Sequence, residues 1–223
     1  MNVKKLTLSA LLASLSLATV IGSIAIAEPA KDAKPAAAAS GADAPAPQLP
    51  PGWTEADMKA MMEAGTPGKM HEYLAKGHGT WQGKSSSWMT PDMKEPILSE
   101  VTVNASPMMD GRYTKLEIAG DMPGCGPWKG FGLFGYDNVA KQFVTSWIDS
   151  HSTGIMQGTG ALSPDQKSIT WDYTYHCPLT QKPARFREVE TVTGPNTKTL
   201  EMFGADPKSG KEFKMMRIEL TKK

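Results

Sequence analysis

Asp149, Ser150, His151 and Ser152 bring the three side-chain types of a serine hydrolase together in four consecutive residues. In an extended chain successive side chains point to opposite faces, so Asp149 and His151 share one face and the two serines share the other. The four residues therefore cannot form a proton relay among themselves. We interpret them as a strand end that runs into a turn, and we predict no catalytic residue.

The histidines and methionines do not form a recognised metal motif. The four histidines, at positions 71, 78, 151 and 176, lack the spacing of a zinc motif such as H-E-x-x-H. The fourteen methionines are of a ligand type that suits Cu(I), but filling a core is their more common use. We predict no metal and no cofactor. A haem or metal site assembled from distant strands stays open as an alternative.

The N-terminus has the pattern of a secretory signal peptide. Two lysines precede the apolar, uncharged stretch 6–27, which ends in the small-x-small sequence Ala25-Ile26-Ala27. Cleavage after Ala27 predicts a periplasmic or secreted protein. An uncleaved anchor is the alternative, because 6–27 is just long enough to span a bilayer.

The remaining chain divides into a linker and one domain. Residues 28–52 are rich in Ala and Pro and predict a disordered linker, which leaves 53–223 as a single folded domain. Loss of Lys4 and Lys5 with the signal changes the formal net charge from +1 to −1. This charge argues against a nucleic-acid partner, and no stable membrane span is expected after signal removal. The oligomeric state stays open.

Cys125 and Cys177 are the two cysteines of the chain. An oxidising compartment permits a disulfide between them, and this is our prediction. Two unpaired thiols are the alternative, because the sequence does not show whether the two Cα atoms come within bonding range.

Short alternating runs dominate the folded part. A capped helix is predicted over 54–64 and a further helical turn over 71–76. Ten strand-like runs then follow, separated by short turns. The predicted strands are 79–89, 97–106, 111–119, 128–136, 141–149, 153–162, 168–177, 184–193, 198–204 and 211–221. Because no connection can hold a crossover helix, we predict an all-β fold, an antiparallel up-and-down barrel of about ten strands preceded by a short helix.

Four segments resemble a known bacterial family, the domain of unknown function 1579. They are MHEYLAKGHGTWQG (70–83), MMDGRYTKLEIAG (108–120), GFGLFGYDNVAKQFVTSWIDSHSTG (130–154) and GKEFKMMRIELTKK (210–223). The similarity covers about residues 66–223. That family is similar to calycins, small β-barrels that include lipocalins and nitrobindin-like haem proteins, so the resemblance implies a calycin-like barrel. It implies no established activity.

The segment from Gly135 to Gly154 is the most specific part of this resemblance. Asp137 and Asn138 predict a structural turn, since their side chains bond local backbone and tolerate positive φ. Asp149 falls on the same face as Trp147, and a carboxylate on an apolar face needs a partner. We hypothesise that Arg112 is this partner.

The aromatic residues leave two interpretations open. Tryptophans must point inward both in a barrel whose side chains line a cavity and in a barrel whose side chains fill the core. We predict as ligand-binding residues Trp81, Arg112, Tyr136, Trp147 and Asp149. The favoured function is a non-enzymatic exported barrel that binds a small apolar or amphipathic ligand. The alternatives are a filled barrel that acts as an envelope interaction module, and a haem-binding or enzymatic barrel.

Overall fold

The computed structural model describes residues 49–124 and 126–223, and within them two helices precede ten strands. The helices are α1 (Glu55–Ala64) and α2 (Lys69–Ala75). The strands are β1 (Gly79–Ser87), β2 (Ile97–Met108), β3 (Tyr113–Met122), β4 (Gly126–Asp137), β5 (Gln142–Asp149), β6 (Met156–Leu162), β7 (Ser168–Cys177), β8 (Lys182–Gly194), β9 (Thr197–Ala205) and β10 (Glu212–Lys222). The predicted signal peptide and nearly all of the predicted linker lie outside the described residues.

The ten strands form a closed antiparallel barrel, as the sequence predicts. Each strand pairs with its neighbours in sequence, and β1 pairs with β10 to close the ring. The closing register places Trp81 opposite Lys222 and Ser85 opposite Ile218. Closure pairs every strand on both sides and leaves no open sheet edge.

Helix α1 is fixed at both ends by side chains. Thr54 accepts a hydrogen bond from the backbone N–H of Asp57, and the Asp57 carboxylate accepts one from the backbone N–H of Thr54, which makes a capping box. At the other end, the amide of Asn138 donates to the carbonyls of Glu63, Ala64 and Thr66 at 2.8 to 3.2 Å. Asn138 therefore ties the β4–β5 turn to the end of α1.

The predicted turn at Asp137 and Asn138 lies between β4 and β5, and the two residues have different roles. Asp137 Oδ1 accepts hydrogen bonds from the backbone N–H groups of Val139 and Ala140 at 2.8 and 2.9 Å. The positive φ of the turn falls at Lys141, where φ is 53°. Asp137 thus shapes the turn itself, while Asn138 reaches the helix.

Helix α2 closes one end of the barrel. Its residues Met70, Tyr73 and Leu74 pack against the buried cluster that contains Trp171. The rings of Tyr73 and Phe143 meet edge to face at 6.0 Å between centroids. We call this end, which also carries the β2–β3 and β4–β5 turns, the closed end, and we call the opposite end the mouth.

Inward and outward side chains alternate along each strand, as in β7. Ile169, Trp171, Tyr173 and Cys177 of this strand face inward and are buried. Glycines on neighbouring strands make room for the large inward rings: a Cβ on Gly160 would lie 2.7 Å from Trp171 Cε3. The absence of a side chain on Gly160 is therefore what lets the Trp171 ring approach the neighbouring backbone. No helix among the described residues has the length and apolar character needed to cross a membrane.

Candidate ligand-binding site

The barrel encloses a cavity of about 970 Å³. The lining runs from the interior strand faces to the β5–β6 loop at 150–155 and to Pro178 after β7, so the cavity extends to the mouth. The large apolar and aromatic lining residues are Leu116, Ile118, Trp128, Phe134, Trp147, Ile155, Met156, Tyr173, Tyr175, Phe186, Leu200, Met202, Met215, Met216, Ile218 and Leu220. Of the two interpretations of the aromatic residues, the structure favours the hollow barrel.

Stacked aromatic pairs form the cavity wall. The rings of Trp128 and Trp147 stack with centroids 6.1 Å apart, near the mouth. Those of Tyr173 and Phe186 stack at 4.8 Å with an interplanar angle of 10°. Because β-sheet neighbours hold both pairs, the wall is preformed.

An ion pair lies inside the barrel. Lys198 Nζ is 2.8 Å from Glu190 Oε1, and their side chains are 7% and 26% exposed. The same ammonium lies 4.7 Å from the centroid of the Trp81 ring. Lys198 is thus engaged by both a carboxylate and an aromatic face.

A second carboxyl group, Glu188, lines the cavity without such a partner. It lies between Trp171 and Met202 in the strand register, and none of the described residues hydrogen-bonds to its side chain. Burial, aided by the nearby charge of Glu190, raises the pKa of Glu188 from 4.5 to about 8, against the opposing effect of Lys198. The residue is half-buried and lines the cavity. At neutral pH this carboxyl is mostly protonated.

Residues 149–152 at the mouth are the end of β5 and the turn that follows it, as the sequence predicts. Asp149 accepts hydrogen bonds from Trp147 Nε1 at 3.3 Å and from the backbone N–H of His151 at 2.9 Å. Ser150 Oγ accepts one from the backbone N–H of Lys129 at 3.0 Å. The hydrogen bonds of Asp149 and Ser150 therefore go to Trp147 and to backbone groups, and they do not link Asp149, Ser150 and His151 into a proton relay.

Of the five predicted ligand-binding residues, Trp147 and Asp149 line the cavity. Trp81 is buried in the adjacent core beneath Lys198. Tyr136 packs edge to face against Phe143 at the closed end. The structure brings Trp147 and Asp149 together and leaves the others apart from them.

The hypothesised pairing of Arg112 with Asp149 is wrong. Arg112 lies in the β2–β3 turn at the closed end, where its guanidinium is 3.7 Å from Asp110 and donates to the Met109 carbonyl at 3.3 Å. Asp149 ends β5 at the mouth. Alternation assigns a residue to a face of the sheet but not to a height along the barrel, so the two residues were wrongly matched.

The sequence interpretation missed the three charged residues inside the barrel, Glu188, Glu190 and Lys198. A signal for them was present, because both glutamates share strand parity with buried Phe186, and Lys198 shares it with Leu200. Charged side chains are normally predicted to face solvent, but here an internal ion pair accommodates Glu190 and Lys198.

The structure does not test the cysteine prediction. Cys177 is 4% exposed at the end of β7, while Cys125 lies outside the described residues, so the disulfide stays a prediction. Among the described residues, no three His, Cys, Asp or Glu side chains converge to hold a metal ion.

The fold is a closed antiparallel barrel of ten strands with an internal cavity. The chain belongs to the family described as "Protein of unknown function (DUF1579)", whose model matches residues 66–222. This confirms the resemblance found in the sequence.

Two solved structures are similar in fold. One is Rv2717c from M. tuberculosis, with a TM-score of 0.54 and 12% identity over 71% of this chain and 99% of that chain. The other is the S-type phycobiliprotein lyase CPES from Guillardia theta, with a TM-score of 0.46 and 10% identity over 73% of this chain and 96% of that chain. No curated protein sequence matches the chain.

Proposed function

We propose that this protein is an exported, non-enzymatic barrel that binds a small apolar or amphipathic ligand in its interior. The observation that supports the proposal is the cavity of about 970 Å³, which reaches the mouth and is walled by aromatic and apolar side chains. Ligand pockets of roughly 300 to 1,000 Å³ enclose most of the surface of a small organic molecule. A barrel filled by its own side chains, which would favour the interaction-module alternative, has no such space.

Filling the mouth of the cavity is expected to abolish ligand uptake without unfolding the barrel. Met156 lines the cavity beside Trp147, so Met156→Trp replaces cavity volume with an indole. The next residue, Gln157, is exposed on the outer face, which makes Gln157→Trp a matched control. Native mass spectrometry of protein purified from its own host should show a reproducible extra mass on the wild type and on Gln157→Trp, and a bare chain for Met156→Trp.

A bare wild-type chain would contradict the proposal. So would an extra mass that Met156→Trp retains in full, because that ligand would lie elsewhere. The absorbance spectrum of the same wild-type sample tests the haem alternative directly, since bound haem gives an intense Soret band.

Export is proposed from the sequence of residues 1–27. We expect the mature chain to begin at Glu28 and to occur in the periplasmic or extracellular fraction. Intact-mass measurement of the endogenous protein from cell fractions checks this. A full-length chain that starts at Met1 in the membrane fraction would instead support the uncleaved anchor.

A further inference from the structure

We propose that the ligand is a cationic amphiphile, a protonated organic amine with an apolar body, whose ammonium group pairs with Glu188 in the cavity. This inference rests on the proposed function and specifies the chemistry of its ligand. Three features of the interior support it: the balance of charge, the aromatic faces and the unpartnered carboxyl.

The charge of the cavity lining is unbalanced toward acid. Among the described residues, the lining contains the carboxyl groups of Asp149, Glu188 and Glu190 and one lysine, Lys198, with no arginine. Lys198 is engaged by Glu190 at 2.8 Å, and Asp149 is engaged by Trp147 and by a backbone N–H of the mouth loop. Glu188 is therefore the carboxyl left to receive a positive charge from a ligand.

The surroundings of Glu188 suit an ammonium group better than a carboxylate. The stacked rings of Phe186 and Tyr173 lie on the same interior wall, and both line the cavity. Aromatic faces attract cations through the negative face of the ring quadrupole. An anionic ligand at this place would meet the negative charge of Glu190, and the nearby lysine, Lys198, already has that glutamate as its partner.

Amine binding must then be coupled to proton release. Among the described residues, the ionisable groups near Glu188 are Glu190 on β8, Tyr173 on β7 and Lys198 on β9, and Tyr73 on α2 lies near Glu190. Burial raises the pKa of both tyrosines, that of Tyr73 to about 12, so both stay neutral near pH 7. Glu188 holds a proton at this pH and has to lose it to pair with a cation.

Three probes of equal chain length separate the ligand classes: octylamine, octanol and octanoate. The ammonium of octylamine resembles that of lysine, with a pKa of about 10.4, and is charged at pH 7 and mostly charged at pH 9. By isothermal titration calorimetry at pH 7, we expect octylamine to bind about tenfold more tightly than the other two. Titrations in buffers of different ionisation enthalpy should show nearly one proton released per octylamine, and less at pH 9.

Glu188→Gln tests the residue, with Glu117→Gln as the control on the outer face of β3. Glu188→Gln should weaken octylamine binding to the level of octanol, leave octanol binding unchanged and remove the proton release. Glu117→Gln should behave as the wild type. Because His151 and His176 at the mouth are also ionisable, proton release that persists in Glu188→Gln would overturn the assignment to Glu188.

The outcomes separate the two proposals. If octanol or octanoate binds as tightly as octylamine, the barrel binds ligands but the inference about an amine is wrong. If none of the three binds to the folded wild type, and purified protein also carries no extra mass, the proposed function itself fails.

Discussion

Replacement of Glu188 by glutamine should make the folded protein more stable than the wild type above pH 7. The wild type should lose stability as pH rises from about 5 to 8, and the variant should escape most of this loss. Burial raises the pKa of this carboxyl from 4.5 to about 8 in the folded state. The unfolded chain releases the proton near the ordinary value, whereas the folded protein holds it until about pH 8.

The direction of the effect follows from the number of bound protons. Between about pH 4.5 and 8 the folded state binds more protons at Glu188 than the unfolded state, so stability falls as pH rises. The contribution is fully present below the unfolded pKa and is lost as pH rises through the folded pKa. It amounts to roughly 3 to 5 kcal/mol over the whole interval. Glutamine has no proton to lose, so its contribution is the same at every pH.

Chemical denaturation of the wild type and Glu188→Gln at several pH values from 5 to 9 measures the difference. The two free energies of unfolding should be similar near pH 5 and should diverge by several kcal/mol near pH 9. Glu117→Gln, on the outer face and paired with Lys115 at 2.9 Å, should follow the wild-type curve. Parallel curves for wild type and Glu188→Gln would show that Glu188 keeps an ordinary pKa.

Replacement of Trp171 by alanine should cost about 3 to 5 kcal/mol of unfolding free energy, because a large aromatic side chain leaves a cavity that the surroundings cannot fill. Trp171 is 1% exposed and meets Phe134 and Phe143 at centroid distances of 5.1 and 6.1 Å. It also covers Gly160, whose missing side chain provides the space for the ring. The indole thus packs against side chains of β4 and β5 and over Gly160 of β6.

Trp171→Phe is the informative companion to this variant. The indole Nε1 of Trp171 is buried and has no hydrogen-bond partner among the described residues, so phenylalanine removes an unsatisfied donor while it keeps most of the ring. We expect Trp171→Phe to lose about 1 kcal/mol or less in urea denaturation. An alanine variant that loses as little as the phenylalanine variant would contradict the packing role of the indole.

The barrel was largely predictable because local pattern and connection length determine it. The run SITWDYTYHC was predicted as a strand over 168–177, and β7 has these bounds. Short turns exclude crossover helices, so sequence neighbours must pair antiparallel. Alternation also placed Trp147 and Asp149 on one interior face, and both line the cavity.

The residues that line the cavity were harder to predict from the sequence than the strands of the barrel. Whether tryptophans fill a barrel or line a space depends on volumes summed over all ten strands. The Arg112 hypothesis was wrong because strand parity fixes the face and not the position along the axis. Glu188 was missed because a glutamate that follows Arg187 and lies two residues from Glu190 fits the pattern of a solvated strand. Its unusual environment arises from Trp171 and Met202 on neighbouring strands.

The seam between β1 and β10 has a consequence for biosynthesis. The ring can be completed only when Glu212–Lys222 has left the ribosome and met β1, the first of the ten strands to be made. Every shorter nascent chain carries two unpaired borders that invite association with other chains. The ring therefore closes only after all ten strands have been made, and until then the chain is suited to holding by chaperones.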